Sequence, residues 1–237
     1  PRDIEVLKEE VKTIKEKLSD VDFINIPDLL SCDTRSWDGA NIAKAYFDDV
    51  VPHLRSMDFD FTKELPIKDK LREYNIKEVL VVEGDPPQSM LYQVYPTIST
   101  DIIKKFSEEM PEITVYAGID QYRSSMKEEE YRIRRKQLAG AKGFFTQPFF
   151  DMRYLEMYAD LLDGLDIYWG VSPVLSERSV SYWRNKNNVI FPKDFEPTLE
   201  WNIEFASKVI DFARKHNHNV YLMPIKAKIM PYLEGVF

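Results

Sequence analysis

The feature that most constrains how this chain can fold is a switch of apolar period that recurs seven times along it. Short runs rich in β-branched and aromatic residues lie at 22–26, 50–54, 78–83, 113–117, 143–147, 166–171 and 219–223. Between them, at 38–47, 67–74, 98–108, 128–138, 154–162, 177–185 and 199–215, apolar residues return every three or four positions. The first kind predicts strands and the second amphipathic helices. Residues 3–18 add a leading helix, with Ile4, Leu7, Val11, Ile14 and Leu18 on one stripe. Val79-Leu80-Val81-Val82 is apolar on both faces, which suits a strand covered on two sides by helices. Strands joined through helices require parallel crossovers, so the expected class is α/β, a TIM-type (β/α)8 barrel with seven strands visible. A doubly wound open sheet is the competing architecture, but its glycine-rich fingerprint is absent after 22–26. In both, ligands bind beyond the C-terminal ends of the strands.

A chain of 237 residues suits one such barrel, so residues 1–237 are read as a single domain. A net charge of −8 argues against nucleic acid, which calls for a basic surface. No apolar run is long enough to span a bilayer, so no membrane association is expected. The start of the chain lacks the apolar stretch of a signal peptide and Cys32, the one cysteine, cannot form an internal disulfide, which together predict a cytoplasmic protein. The first residue is Pro1 and not methionine, so the sequence is expected to begin inside a longer one.

Two strand ends carry candidate chemistry. Glu83-Gly84-Asp85-Pro86-Pro87 follows the third strand: the glycine permits close backbone approach, the prolines fix the exit, and Asp85 stands where barrels keep polar groups, although a plain turn has the same composition. Phe144-Phe145-Thr146-Gln147-Pro148-Phe149-Phe150 ends the fifth; its phenylalanines read as core, whereas Gln147 offers a donor and an acceptor suited to a flat heterocycle with amide-like edges. The helix at 128–138 carries Arg132, Arg134, Arg135 and Lys136; its acid-to-base spacing, Glu128 to Arg132 and Glu130 to Arg134, reads as a solvated face, with phosphate binding by Arg135 and Lys136 the other possibility. His53, His216 and His218 show no metal-ligand spacing, and no metal is expected.

At Glu78 to Pro87, and again at Ala139-Gly140-Ala141 through Thr146-Gln147-Pro148-Phe149-Phe150-Asp151, the chain resembles the methylenetetrahydrofolate reductase family of flavin-dependent barrels. Pro52-His53-Leu54, Gly170-Val171-Ser172-Pro173 and residues 219–223 resemble further family segments in the same order. The resemblance implies hydride transfer from NAD(P)H through FAD to a methylene-tetrahydrofolate or related pterin, giving the 5-methyl form used in methionine and one-carbon metabolism. By position it implies that Asp85 is catalytic and modulates the flavin. His53, Glu83, Gly84, Tyr122, Arg135 and Lys136 fall at cofactor positions, which turns the reading of the 128–138 helix toward phosphate. Gln147, Ser179 and Trp183 fall at pterin positions, with Trp183 suited to stacking. A homo-oligomer or an electron-supplying partner subunit is compatible with this assignment.

The chain also departs from the family pattern. Glu83 stands where an arginine commonly precedes Gly-Asp, and Gly118-Ile119-Asp120-Gln121-Tyr122 replaces a Tyr-Pro-x-x-His segment, with Tyr122 left as a stacking group. The family's first strand, Phe-Glu-Phe-x-Pro-Pro-Arg, carries its general acid, and only the closing Pro1-Arg2 is present, so the first strand and its glutamate are expected to lie outside the sequence given. These departures keep two alternatives in view: a non-redox pterin-binding subunit, and a flavin-free reductase of the same barrel family.

Overall fold

The computed structural model describes residues 4–30, 32, 34–87, 89, 92–224 and 229–237. Pro1-Arg2, and Asp3 at the expected start of the leading helix, lie outside the described residues. Among the described residues seven strands follow one another in chain order, every recorded pairing is parallel, and helices separate them, which is an α/β fold of the TIM-barrel type. Close packing divides the chain into two compact units, Pro1–Ala117 with Arg135–Lys142, and Gly118–Arg134 with Gly143–Phe237.

The first unit contains α1 (Ile4–Lys17), β1 (Phe23–Ile26), α2 (Ser36–Ala43), β2 (Asp49–Arg55), a 3-10 turn at Ser56–Asp58, α3 (Lys68–Glu73), β3 (Glu78–Val82), α4 (Ser99–Glu109) and most of β4 (Thr114–Ile119). The ladder between β1 and β2 ends at Ile26 opposite Pro52, where Pro27 and Pro52 both lack the N–H that would continue it. In β3 the three central residues Val79, Leu80 and Val81 are buried, as expected for a strand covered on both faces. Leu54, Leu71, Ile102, Ile103 and Phe106 complete this core.

The second unit contains α6 (Met152–Leu161), α7 (Glu177–Lys186), α8 (Leu199–His216) and α9 (Ile229–Val236) with β5 (Gly143–Pro148), β6 (Ile167–Val171) and β7 (Asn219–Leu222); α5 (Met126–Ala139) begins in it and ends in the first. Side-chain oxygens of Asp151, Ser176 and Thr198 accept the first free N–H groups of α6, α7 and α8. Helix α5 stops at Gly140, whose φ of +121° closes the turn while Ala141 N–H returns to the Lys136 carbonyl. A Cβ at Gly235 would lie 2.3 Å from Ile203 Cδ1, so glycine there lets α9 pack against α8. At the start of β7, the buried Trp169 donates its indole N–H to His218 Nδ1 at 3.1 Å, which gives this histidine a place in the packing.

Candidate functional site

In the first unit the C-terminal ends of β2 and β3 converge on Gly84. Arg55, the last residue of β2, is 5% exposed and lays its side chain across that glycine: a Cβ at Gly84 would meet Arg55 Nε at 2.7 Å, and Gly84 has a φ of +85°. Arg55 Nη2 donates to the Asp85 carbonyl at 2.7 Å, so the loop carrying the Asp85 carboxylate is tied to β2 by a buried cation. Asp58 holds a second arginine beside it. Arg35 Nη2 lies 2.7 Å from Asp58 Oδ2 and 2.5 Å from Asp28 Oδ2, its Nε donates to Asp28 Oδ1 at 3.0 Å, and Arg55 Nε forms a looser ion pair with Asp58 Oδ1 at 3.7 Å. Two carboxylates thus balance two guanidinium groups in a largely desolvated cluster, the condition under which such charges are tolerated.

His53 lies two positions before Arg55 on the same strand, so both residues fall on one face of β2. Its Nε2 is buried with no hydrogen-bond partner among the described residues, and burial pushes the imidazole down to about 4 against a weaker pull upward from Asp28. His53 is therefore neutral at physiological pH. Glu83 is half-buried and Asp85 exposed at the end of β3. On α5, Arg135 is exposed and Lys136 buried. The expected Glu128 to Arg132 pair forms at 2.8 Å, while Glu130 pairs with Lys127 at 2.8 Å.

In the second unit the end of β5 leaves the regular ladder. Phe145 pairs with Tyr168 and Pro148 with Gly170, so β5 carries one extra residue at Thr146-Gln147. Side chains complete the backbone there. The Tyr221 hydroxyl donates to the Thr146 carbonyl, and Thr146 Oγ1 accepts the Gly170 N–H at 2.9 Å. Gln121 Oε1 accepts the Gln147 N–H at 3.0 Å, Gln121 Nε2 donates to the Gln147 carbonyl at 2.6 Å, and the Tyr122 hydroxyl donates to the Pro148 carbonyl at 2.9 Å. Gly170 is required by the close approach: a Cβ would lie 2.8 Å from the Thr146 carbonyl.

The Gln147 side-chain amide, half-buried, has no hydrogen-bond partner among the described residues. Around it Phe144, Phe145, Phe149 and Phe150 are each at most 2% exposed, so they are core, as their sequence suggests. Burial, reinforced by Tyr154 nearby, raises the Tyr122 phenol well above its ordinary value, so it remains a donor. Trp183 is buried edge-on to Phe150, with ring centres 5.9 Å apart, in a cluster with Val174, Val180 and Val189. The Ser179 hydroxyl lies 3.0 Å from that of Ser176, the residue capping α7.

Of the residues assigned by resemblance, those given to the cofactor lie in the first unit, Tyr122 apart, and those given to the pterin lie in the second. Sequence reasoning missed Arg55, the Asp28–Arg35–Asp58 cluster and Gln121. Arginine at the end of an apolar strand was the available signal for the first; nothing in the sequence marks Gln121 as a partner of Gln147. Among the described residues no group of three or more His, Cys, Asp or Glu is placed to hold a metal, and no helix is long and apolar enough to cross a membrane.

No family model matches the chain. In sequence it is similar to 5,10-methylenetetrahydrofolate reductase of Buchnera aphidicola subsp. Schizaphis graminum (strain Sg), 22% identical over 147 residues that cover 60% of this chain and 50% of the reductase. The matched segment thus spans about half the length of that relative. In fold it is similar to an uncharacterized protein from Clostridium thermocellum that binds two copies of 5-methyl-5,6,7,8-tetrahydrofolic acid, with a TM-score of 0.59 and 14% identity over 98% of this chain and 87% of that one. It is also similar to oxaloacetate acetylhydrolase, with a TM-score of 0.61 and 8% identity over 96% of this chain and 75% of that one. At these identities the two structures speak for the fold.

Proposed function

Taking the chain as a methylenetetrahydrofolate reductase-like barrel, we propose that it binds a reduced folate or related pterin and reduces the 5,10-methylene group to 5-methyl in one-carbon and methionine metabolism. The observation that carries this reading is the Gln147 amide. Its backbone is held by Gln121 on both polar atoms, and its side chain, unengaged among the described residues, presents one acceptor and two donors. A pterin edge, with a ring carbonyl, ring N–H and amino group in line, matches that set. Aspartate or lysine at the same place would supply only one half of it.

NAD(P)H is the proposed hydride source and FAD the proposed cofactor. FAD, when bound, would relay hydride between nicotinamide and pterin. The first unit fits a flavin in two respects. His53 is neutral with a buried Nε2 that has no partner among the described residues, a polar group able to meet a ring edge without adding charge. Gly84 leaves the β3 loop without a side chain at its turn, with Asp85 beyond it as the proposed catalytic carboxylate. Arg135 and Lys136 are the proposed phosphate partners.

Two observations favour the second reading, a pterin-binding subunit without redox chemistry. Glu83 places a carboxylate where the resemblance implies a cation, and the Tyr122 hydroxyl is engaged by the Pro148 carbonyl. Titrating the purified protein with 5-methyltetrahydrofolate and, separately, with FAD while recording the visible spectrum distinguishes the readings. Pterin binding, a flavin band that bleaches with NAD(P)H, and a large loss of turnover without loss of folding in Asp85→Asn are expected. Pterin binding with no flavin band and no NAD(P)H oxidation would replace the reductase by the binding subunit, and turnover without flavin would establish direct hydride transfer from the nicotinamide. Absence of pterin binding would refute the proposal.

A further inference from the structure

We propose that Gln121 is a positioning residue that aims the Gln147 side chain at its ligand by acting as a one-residue surrogate for a neighbouring strand. The inference rests on the reading of Gln147 as a pterin contact. Gln121 is 1% exposed, and its carboxamide closes a two-bond ring with the Gln147 backbone, Oε1 to N–H at 3.0 Å and Nε2 to the carbonyl at 2.6 Å. Nε2 also lies 3.4 Å from the Pro148 carbonyl. This is the donor and acceptor pattern of a peptide group in a sheet, supplied where the extra residue in β5 has broken the register with β6.

Gln121 is itself fixed from several directions. Its backbone carbonyl accepts the Tyr154 hydroxyl at 2.6 Å, and the preceding Asp120 N–H is held by the buried Glu129 carboxylate at 3.1 Å. The neighbouring Tyr122 reaches the Pro148 carbonyl. The end of β5 therefore has its main-chain direction set by residues 120–122. Once that direction is fixed, the only mobile part of Gln147 is its own side chain, and the ordering cost on ligand binding is confined to a few torsions. The position demands both a donor and an acceptor. Glutamate, identical in shape, would keep the bond from the Gln147 N–H but set a negative oxygen against the Gln147 carbonyl, leaving that part-buried acceptor without its donor.

The test is a double-mutant cycle with 5-methyltetrahydrofolate as the probe, measured by calorimetry on wild type, Gln121→Glu, Gln147→Ala and the double variant. Gln121→Glu is expected to weaken binding about tenfold, the scale of one lost buried hydrogen bond, and to cost less than about threefold once the Gln147 side chain is absent. An equal factor in both backgrounds overturns the inference, since Gln121 would then act on the site without acting through Gln147. If wild type does not bind the probe, the pterin reading fails, and positioning is decided by amide hydrogen exchange. Protection of the Gln147 N–H should fall at least about tenfold in Gln121→Met, which removes its acceptor, while that of Phe149, bonded to the Gly170 carbonyl, is retained. Unchanged protection at Gln147 overturns it. Should Gln121→Glu not fold, the uncharged Gln121→Met takes its place in the binding cycle as well.

Discussion

Glu109, the last residue of α4, offers a sharp test of how the first unit is held together. Its carboxylate meets Lys105 Nζ at 2.8 Å, Lys68 Nζ at 3.2 Å and the Leu65 N–H at 3.0 Å, joining α4 to the segment that leads into α3. Partial burial pushes this carboxyl up, but Lys105, the Leu65 N–H and Lys68 together outweigh it and hold it at about 2, against an ordinary 4.5. Taken whole, that difference is worth about 3 kcal/mol. The side chain is 19% exposed and its partners are near the surface, so screening reduces the expected contribution to about 1–2 kcal/mol. The sign follows from the lowered value. The unfolded chain binds the proton first, so the contribution is complete above about pH 4.5 and is lost as the pH falls through about 2. Glu109→Gln keeps an acceptor for Leu65 and removes only the ionic part. Urea unfolding of the two proteins should show wild type ahead by about 1–2 kcal/mol at neutral pH, with the gap clearly smaller by about pH 3.5. A gap absent at neutral pH, or one that stays level down to about pH 3.5, would refute the assignment of this stability to the Glu109 ion pairs.

Two further outcomes are expected. Gly140→Ala places a Cβ 2.0 Å from Ser107 Oγ at a φ of +121°, whereas Gly164→Ala has a φ of +77° and nothing within 4 Å among the described residues; denaturant midpoints should show the first costing about 2–4 kcal/mol and the second about 1 kcal/mol, and a reversed order contradicts the packing at the end of α5. Because His53 is neutral in the folded chain down to about 4 and titrates near 6.5 when unfolded, wild type should lose more stability than His53→Phe as pH falls through that window, the burial-lowered His218 acting on both alike, and a His53 imidazole NMR titration midpoint above about 6 would disprove the burial argument.

The alternation of apolar periods was enough to read every strand and the eight helices through α8, because burial on both faces of β3 and the stripes of the helices follow directly from residue type. Boundaries moved where geometry outside the segment intervenes. Pro148 belongs to β5 although the run ends at Gln147, since it pairs with Gly170 across the extra residue. Helix α9 went unread because Pro231 and Gly235 look like breakers. Pro231 lies in the first turn, where no N–H is needed, and Gly235 serves contact with Ile203. At the candidate site, the places of Gln147 and the Gly84-Asp85 loop at the ends of β5 and β3 were legible from local sequence. Arg55 and Gln121 were not, since their roles depend on residues about 30 and 26 positions away that only the folded backbone brings near.

The way β5 ends has a bearing on how such a barrel can change over generations. Where a strand terminus is secured by main-chain pairing, altering its aim means altering the sheet, and the whole scaffold bears the consequence. Here residues 146–148 are secured by the side chains of Gln121, Tyr122 and Tyr221, each within reach of a single codon change. Selection can therefore re-aim residue 147 while the strands beneath keep their inherited register, so that the direction of this side chain can vary without rebuilding the fold that carries it.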